Sequence, residues 1–382
     1  MEYCRIESLD EACQWTLSTF KSHPERNQLE SYLAALDGRK RRYPALQLNH
    51  LANPADDSTA IDDFMLPHLV INDRNEASLA ALAINRMAPL AMLNPVSLAL
   101  PLGVGPGTLA ASFGIELDPS CAWSPAHSIS LDKALALGAI DPENSGMLPE
   151  IKAKIELYKK TFPPEFLIQL PDIQGPFNIA HAVLGDEAFF APVDEPERFA
   201  EFMSRITDFW IQVRHNLLSW IGSERIYPFH QRLCRITECS VNLISAEMYR
   251  IHVLPHDLRI TNEFGNIHIH PCRGPHVFHV TLDNLPGIKA IETGYIANSA
   301  AGAILVEESL AAIANRDIWL MIGQEVPSGA EFEFIVNDLN YYEQTQRLTY
   351  IYTCMGLKKK DRPFIRDLHR RLDDYWMQKF VD

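Results

Sequence analysis

Apolar residues recur at helical spacing through Leu29-Glu-Ser-Tyr-Leu-Ala-Ala-Leu36, and Asp37-Gly38 stops that run. The pattern predicts helical additions over 1–42 and a first short strand at 43–49. Next come a helical core at 76–86 and a second strand at 89–95. From residue 150 the rhythm is regular. Helix 148–160 leads to strand 166–172, and a long helical region, 189–221, leads to strand 232–238. Helix 245–262 leads to strand 266–272. Strands 288–294, 318–324 and 348–354 follow, each after a helix-length segment, and an amphipathic helix over 363–380 closes the chain. Eight strand candidates alternating with helices predict an α/β chain. Its architecture is a (β/α)8 TIM barrel with N-terminal helical additions. On this reading 1–382 is one barrel domain, with 1–42 an extension, 43–382 the barrel and an insertion around 101–150.

Composition narrows the setting. The 382 residues, 47% of them hydrophobic, are enough for a large core. No apolar run reaches the length of a membrane span, and Met-Glu-Tyr-Cys-Arg-Ile-Glu is not the start of a signal peptide. Seven scattered cysteines suit a reducing cytoplasm. A formal charge of -15 argues against nonspecific nucleic-acid or membrane-surface binding.

Barrel active sites lie at the C-terminal ends of strands. The strand Asn266-Ile-His-Ile-His-Pro-Cys272 places His270 and Cys272 two apart, on one face, and Cys354 ends the last strand candidate. One imidazole and two thiolates leave a position open on tetrahedral zinc, as catalytic sites do. Two buried cysteines and a hydrogen-bonded core histidine are the plainer alternative. Other polar groups end strands: Asp172 and Gln174, Glu238, Glu292, and Gln324. Glu292, Glu238 and Asp172 are the candidate catalytic acids and bases. Arg273, Gln174 and Gln324 are the candidate substrate contacts.

Weaker signals read structurally. Gly103-Val-Gly-Pro-Gly-Thr108 fits neither a P-loop nor a dinucleotide fingerprint. His252 and His256 have helical metal spacing, but Pro255 intervenes and no Glu follows the first histidine. Lys358-Lys-Lys360 reads as a solvated loop, and Asp367-Leu-His369 lacks the glycine of a cobalamin motif.

Taken in order, the motifs resemble the uroporphyrinogen decarboxylase superfamily and, within it, the corrinoid- and coenzyme M-type methyltransferase branch. They run from Glu25-Arg-Asn-Gln through Leu170-Pro-Asp-Ile-Gln-Gly-Pro-Phe-Asn, Leu243-Ile-Ser-Ala-Glu and Leu254-Pro-His to His270-Pro-Cys272 and Cys354-Met-Gly-Leu357. The resemblance implies a (β/α)8 barrel. It implies zinc held by His270, Cys272 and Cys354, and a methyl group passed between a corrinoid and a small thiol or similar acceptor. The corrinoid is then a co-substrate, free or carried on a partner protein. Arg273 stands where that branch has glycine, and a planar guanidinium there suits a carboxylate or sulfonate. The segment after the first strand, His50-Leu-Ala-Asn-Pro-Ala-Asp-Asp57, lacks the arginine that decarboxylases place there. A carboxy-lyase and a non-catalytic binding barrel are the alternatives.

Overall fold

The computed structural model describes residues 5–24, 27, 29–30, 66–87, 96–103, 105, 107–118, 124–272, 275–293, 313, 316, 318–324 and 349–352. At 272, 275, 293, 319–324 and 349–352 it describes the backbone alone. The chain divides into two compact units. The first comprises Met1–Leu100, Tyr295–Gly302 and Trp319–Asp382, and the second Pro101–Gly294 and Ala303–Ile318.

In the first unit, β1 (Arg5–Ile6) pairs in parallel with β2 (His68–Leu69). Helix α1 (Leu9–Lys21) starts where the Ser8 hydroxyl accepts from Glu11 N, and α2 (Arg74–Ile84) where Asp73 accepts from Glu76 N. Both are side-chain N-caps satisfying amides that have no partner inside the helix. Ile6, Ala12, Leu66, Ala80 and Ile84 form the core between them. The helix predicted at 76–86 is therefore α2, displaced by two residues at each end. The strands predicted at 43–49 and 89–95, the closing helix at 363–380 and all but the first two residues of the helical run 29–36 lie outside the described residues.

The second unit opens on irregular backbone, as its Gly and Pro content predicts. A short hairpin, β3 (Leu117–Asp118) with β4 (Ser124–Pro125), precedes α3 (Leu131–Ala136) and α4 (Leu148–Thr161). The strand predicted at 166–172 is reduced to one bridge, Ile168 with Ile226. Ile168 N donates to Arg225 O, and Tyr227 N to Ile168 O. Pro171 has no N–H with which to extend the ladder.

Then follow α5 (Pro176–Leu184), α6 (Glu187–Asp194), α7 (Pro196–Ile221) and the short α8 (Pro228–Arg232). The single helical region predicted at 189–221 is broken at Glu195, before Pro196. Proline is favoured in a helix's first turn and disfavours helical backbone in the residue before it. Helix α7 buries Phe199, Phe202, Met203, Ile206, Trp210, Val213 and Leu217, a stripe at the three- and four-residue spacing of an amphipathic helix.

Strands β5 (Cys234–Thr237), β6 (Ile267–Cys272) and β7 (Ile288–Thr293) run parallel in that order. Helices α9 (Ala246–Met248) and α10 (Leu254–Phe264), joined by a π-helical turn at Tyr249–Val253, cross from β5 to β6. Helix α11 (Pro275–Asn284) crosses from β6 to β7. Back in the first unit, β8 (Trp319–Gln324) and β9 (Thr349–Tyr352) pair in parallel. Parallel strands joined by helices make this a mixed α/β protein. Among the described residues no helix is long and apolar enough to cross a membrane.

Register gives the β5–β6–β7 sheet two unlike faces. Ile236, Ile269 and Ile291 align on one, all fully buried. Arg235 aligns with His268, and Thr237 with His270, on the other. The pairing shifts between Ile269 and Cys272, where three steps of β6 face two of β7. Pro271 sits in that bulge, a place where a residue without an N–H is tolerated.

Candidate active site on the polar face of the central strands

Glu292, near the end of β7, is the centre of a compact ion network. Its Oε2 lies 3.1 Å from Arg235 Nη2 and 3.2 Å from His268 Nε2, and its Oε1 lies 3.4 Å from His270 Nδ1. Arg235 is itself positioned. Its Nε donates to Thr237 Oγ1 at 3.1 Å, Thr237 Oγ1 donates to Asp172 Oδ2 at 3.2 Å, and the guanidinium is 3.9 Å from that carboxylate. Asp172 in turn accepts from Gln174 N at 3.0 Å.

The charges follow from these neighbours. Burial alone would push the Glu292 carboxyl up, but Arg235, His270 and His268 together outweigh it and hold the group well below the usual range. Burial would lower Arg235, and Glu292 with Asp172 more than restores it. Burial pushes His268 down, aided by Arg235 and His270 and opposed by Glu292. Beneath them His230 is pushed down to about 3, by burial first and then by Arg235, Arg214 and His268. Its neutral Nδ1 accepts from Leu170 N at 3.1 Å.

Glu238, expected as an acid at the mouth, is fully buried. Its Oε1 accepts from Phe177 N and its Oε2 from Asn178 N, each at 3.0 Å. These are early amides of α5, a helix whose N-cap, Gly175, has no side chain to offer them. Behind it lies Asp257, also fully buried, with Oδ2 accepting from Tyr249 Oη at 2.8 Å. Burial and then Asp257 push Glu238 well up, while burial pushes Asp257 up to about 7. Two carboxyls in one dry space resist both being ionised.

A measurable pH dependence follows. Asp257 keeps its proton in the folded state at pH values where the unfolded carboxyl has lost it. The stability this contributes is complete below about pH 4 and is lost as the pH rises through about 7. Asp257→Asn is expected to flatten that decline in urea-unfolding stability between pH 5 and 8. A variant with the wild-type slope would show that another group carries it.

Other sequence candidates divide clearly. Gln174 follows Asp172 on the loop into α5 and has a left-handed φ of 58°. His256 is buried and donates from Nδ1 to Thr207 Oγ1 at 3.0 Å, so it is committed to packing. Cys272 ends β6 and Gln324 ends β8, each described in backbone only, and Arg273 and Cys354 lie outside the described residues. Among the described residues no three His, Cys, Asp or Glu side chains are grouped to hold a metal ion.

Sequence reading missed Arg235, His268 and His230. The signal for the first two was present in the alternation: His268 precedes His270 by two, as Arg235 precedes Thr237. His230 sits on the short helix before β5, where no periodicity marks it.

No protein-family model matches the chain, and no curated protein matches it. Among solved structures, a methyltransferase from Methanosarcina mazei superposes over 92% of this chain and 99% of its own, with a TM-score of 0.59 and 13% identity. At that identity the likeness is one of fold. A protein provisionally named a vitamin-B12 independent methionine synthase, from Listeria monocytogenes, aligns over 63% of this chain and 72% of its own. Its identity is 14% and its TM-score 0.40, too low to carry an argument.

Proposed function

We propose that this protein is a zinc-dependent methyltransferase built on a (β/α)8 barrel. It would move a methyl group between a corrinoid, free or on a partner protein, and a small thiol. One observation carries the reading: His270 presents Nδ1 to a carboxylate, Glu292, that Arg235 keeps ionised. A proton on Nδ1, favoured by the carboxylate 3.4 Å away, would leave Nε2 with its lone pair, the form a metal-ligating histidine needs. Cys272, two residues on, and Cys354 complete a donor set of the kind catalytic zinc takes. The fold shared with a protein named as a methyltransferase is in keeping with this.

Zinc bound there would lower the pKa of a thiol in its open position and keep it a thiolate at neutral pH. The chain's own residues do the rest. Glu292, 3.4 Å from Nδ1, would favour the Nδ1-protonated tautomer of His270 by its charge. Arg235 holds Glu292 ionised, and Thr237 with Asp172 fixes the guanidinium's angle. Arg273 and Gln324 are proposed as contacts for the substrate's anionic and polar ends.

The test is elemental analysis of protein purified without added metal, followed by assay with methylcobalamin and 2-mercaptoethanol. The expected result is about one zinc per chain and loss of the methyl–cobalt absorbance. Glu292→Gln should weaken zinc binding about 10- to 100-fold with the fold retained. Protein without zinc that releases carbon dioxide from uroporphyrinogen and transfers no methyl group would overturn the reading in favour of a carboxy-lyase.

A further inference from the structure

Beside α5 lies a cavity of about 440 Å³, within the size range of small-molecule sites. Gln174, Asn178, His181, Ser240, His127 and Ser128 supply its polar lining side chains. Among the described lining residues there is no carboxylate, lysine or arginine.

The wall is built at a cost. Gln174 carries a left-handed φ of 58°, which a β-carbon disfavours by about 1 kcal/mol. Three hydrogen bonds hold it there: Trp210 Nε1 to its carbonyl at 2.6 Å, its own N to Asp172 Oδ1, and Asn178 Nδ2 to its Oε1 at 2.5 Å. Asn178 Oδ1 then accepts from Ser240 N at 2.7 Å, and Ser240 Oγ lies 2.8 Å from His181 Nδ1. The network uses the amide oxygen of Gln174 and one nitrogen of His181. The Gln174 Nε2 group and His181 Nε2 make no hydrogen bond to any described residue. Burial pushes His181 down, with Asp186 opposing, so its ring is neutral at pH 7.

We propose that this cavity binds a small neutral molecule that presents an amide-like edge. Its carbonyl would accept from Gln174 Nε2 and its N–H would donate to His181 Nε2. A charged ligand would meet no counter-ion among the described lining residues. The cavity has no described lining residue in common with the zinc donor set, and the Asp172 carboxylate, which accepts from Gln174 N, links its wall to the network around Glu292.

The probe is 2-pyrrolidinone, a neutral lactam, compared with acetate and methylammonium at equal concentration. The readout is the His181 ring resonance of the full chain, labelled at histidine and assigned with His181→Asn. Saturable movement is expected with the lactam alone. Gln174→Gly relieves the backbone strain and removes the donor. It should leave the melting temperature unchanged or higher while weakening the lactam about tenfold, the worth of one buried neutral hydrogen bond. If that variant does not fold, Gln174→Glu keeps an acceptor for Asn178 and removes the same donor, so it should show the same loss. No saturable shift, an equal response to acetate, or wild-type affinity in the folded variant would each overturn the proposal.

Discussion

Arg235→Met is expected to lower stability by about 2–3 kcal/mol, and Glu292→Gln in the same protein to recover most of that loss. The cost is that of leaving a carboxylate without its cation. Glu292 is 15% exposed and Arg235 is 36% exposed, so water offsets part of the penalty. Methionine keeps the aliphatic stem's packing and removes only the charge. Urea unfolding of the wild type, both single variants and the double variant closes the cycle. A coupling energy below about 0.5 kcal/mol would mean that the two groups share a face without depending on each other.

Glu238→Ala should be the most damaging single change in this part of the molecule, at about 3–4 kcal/mol. It leaves Phe177 N and Asn178 N without acceptors in a dry place, each worth about 1–2 kcal/mol, and opens a void. Glu238→Gln should cost roughly half as much, because its single carbonyl oxygen serves one amide. Its neutrality also removes the conflict with Asp257. Thermal unfolding of the two variants checks the order. An alanine variant within about 1 kcal/mol of wild type would show that the start of α5 finds other acceptors.

The elements of the second unit were largely legible where periodicity was strong. α4, β5, β6 and β7 fall within a residue or two of expectation, because alternating and helical patterns are direct consequences of which face is buried. The 166–172 strand failed for a local reason: Pro171 interrupts a run whose composition otherwise suits a sheet. The helix expected at 245–262 contains a π-helical turn at Tyr249–Val253, which no apolar spacing announces.

At the site, Glu292 and His270 are brought together as their positions on neighbouring strands suggest, while Glu238 turns away from the polar face to cap a helix. Sequence marks a carboxylate at a strand end; it does not say whether the nearest unmet need is a substrate's or an amide's. The bulge around Pro271 is a second such case, since period-two counting assumes a register that it interrupts.

The contact between Gly175 and Glu238 has an evolutionary consequence. A β-carbon at position 175 would stand 2.3 Å from Glu238 Oε1, closer than atoms can approach. A larger residue at 175 therefore needs a shorter one at 238, and a shorter one at 238 abandons the helix it holds. The mildest single step open to the pair is the isosteric Glu238→Gln, which keeps one of the two amide contacts and leaves Gly175 in place. The pair sits at the bottom of a steep valley in sequence space, and drift reaches the surrounding loop far more readily than these two residues.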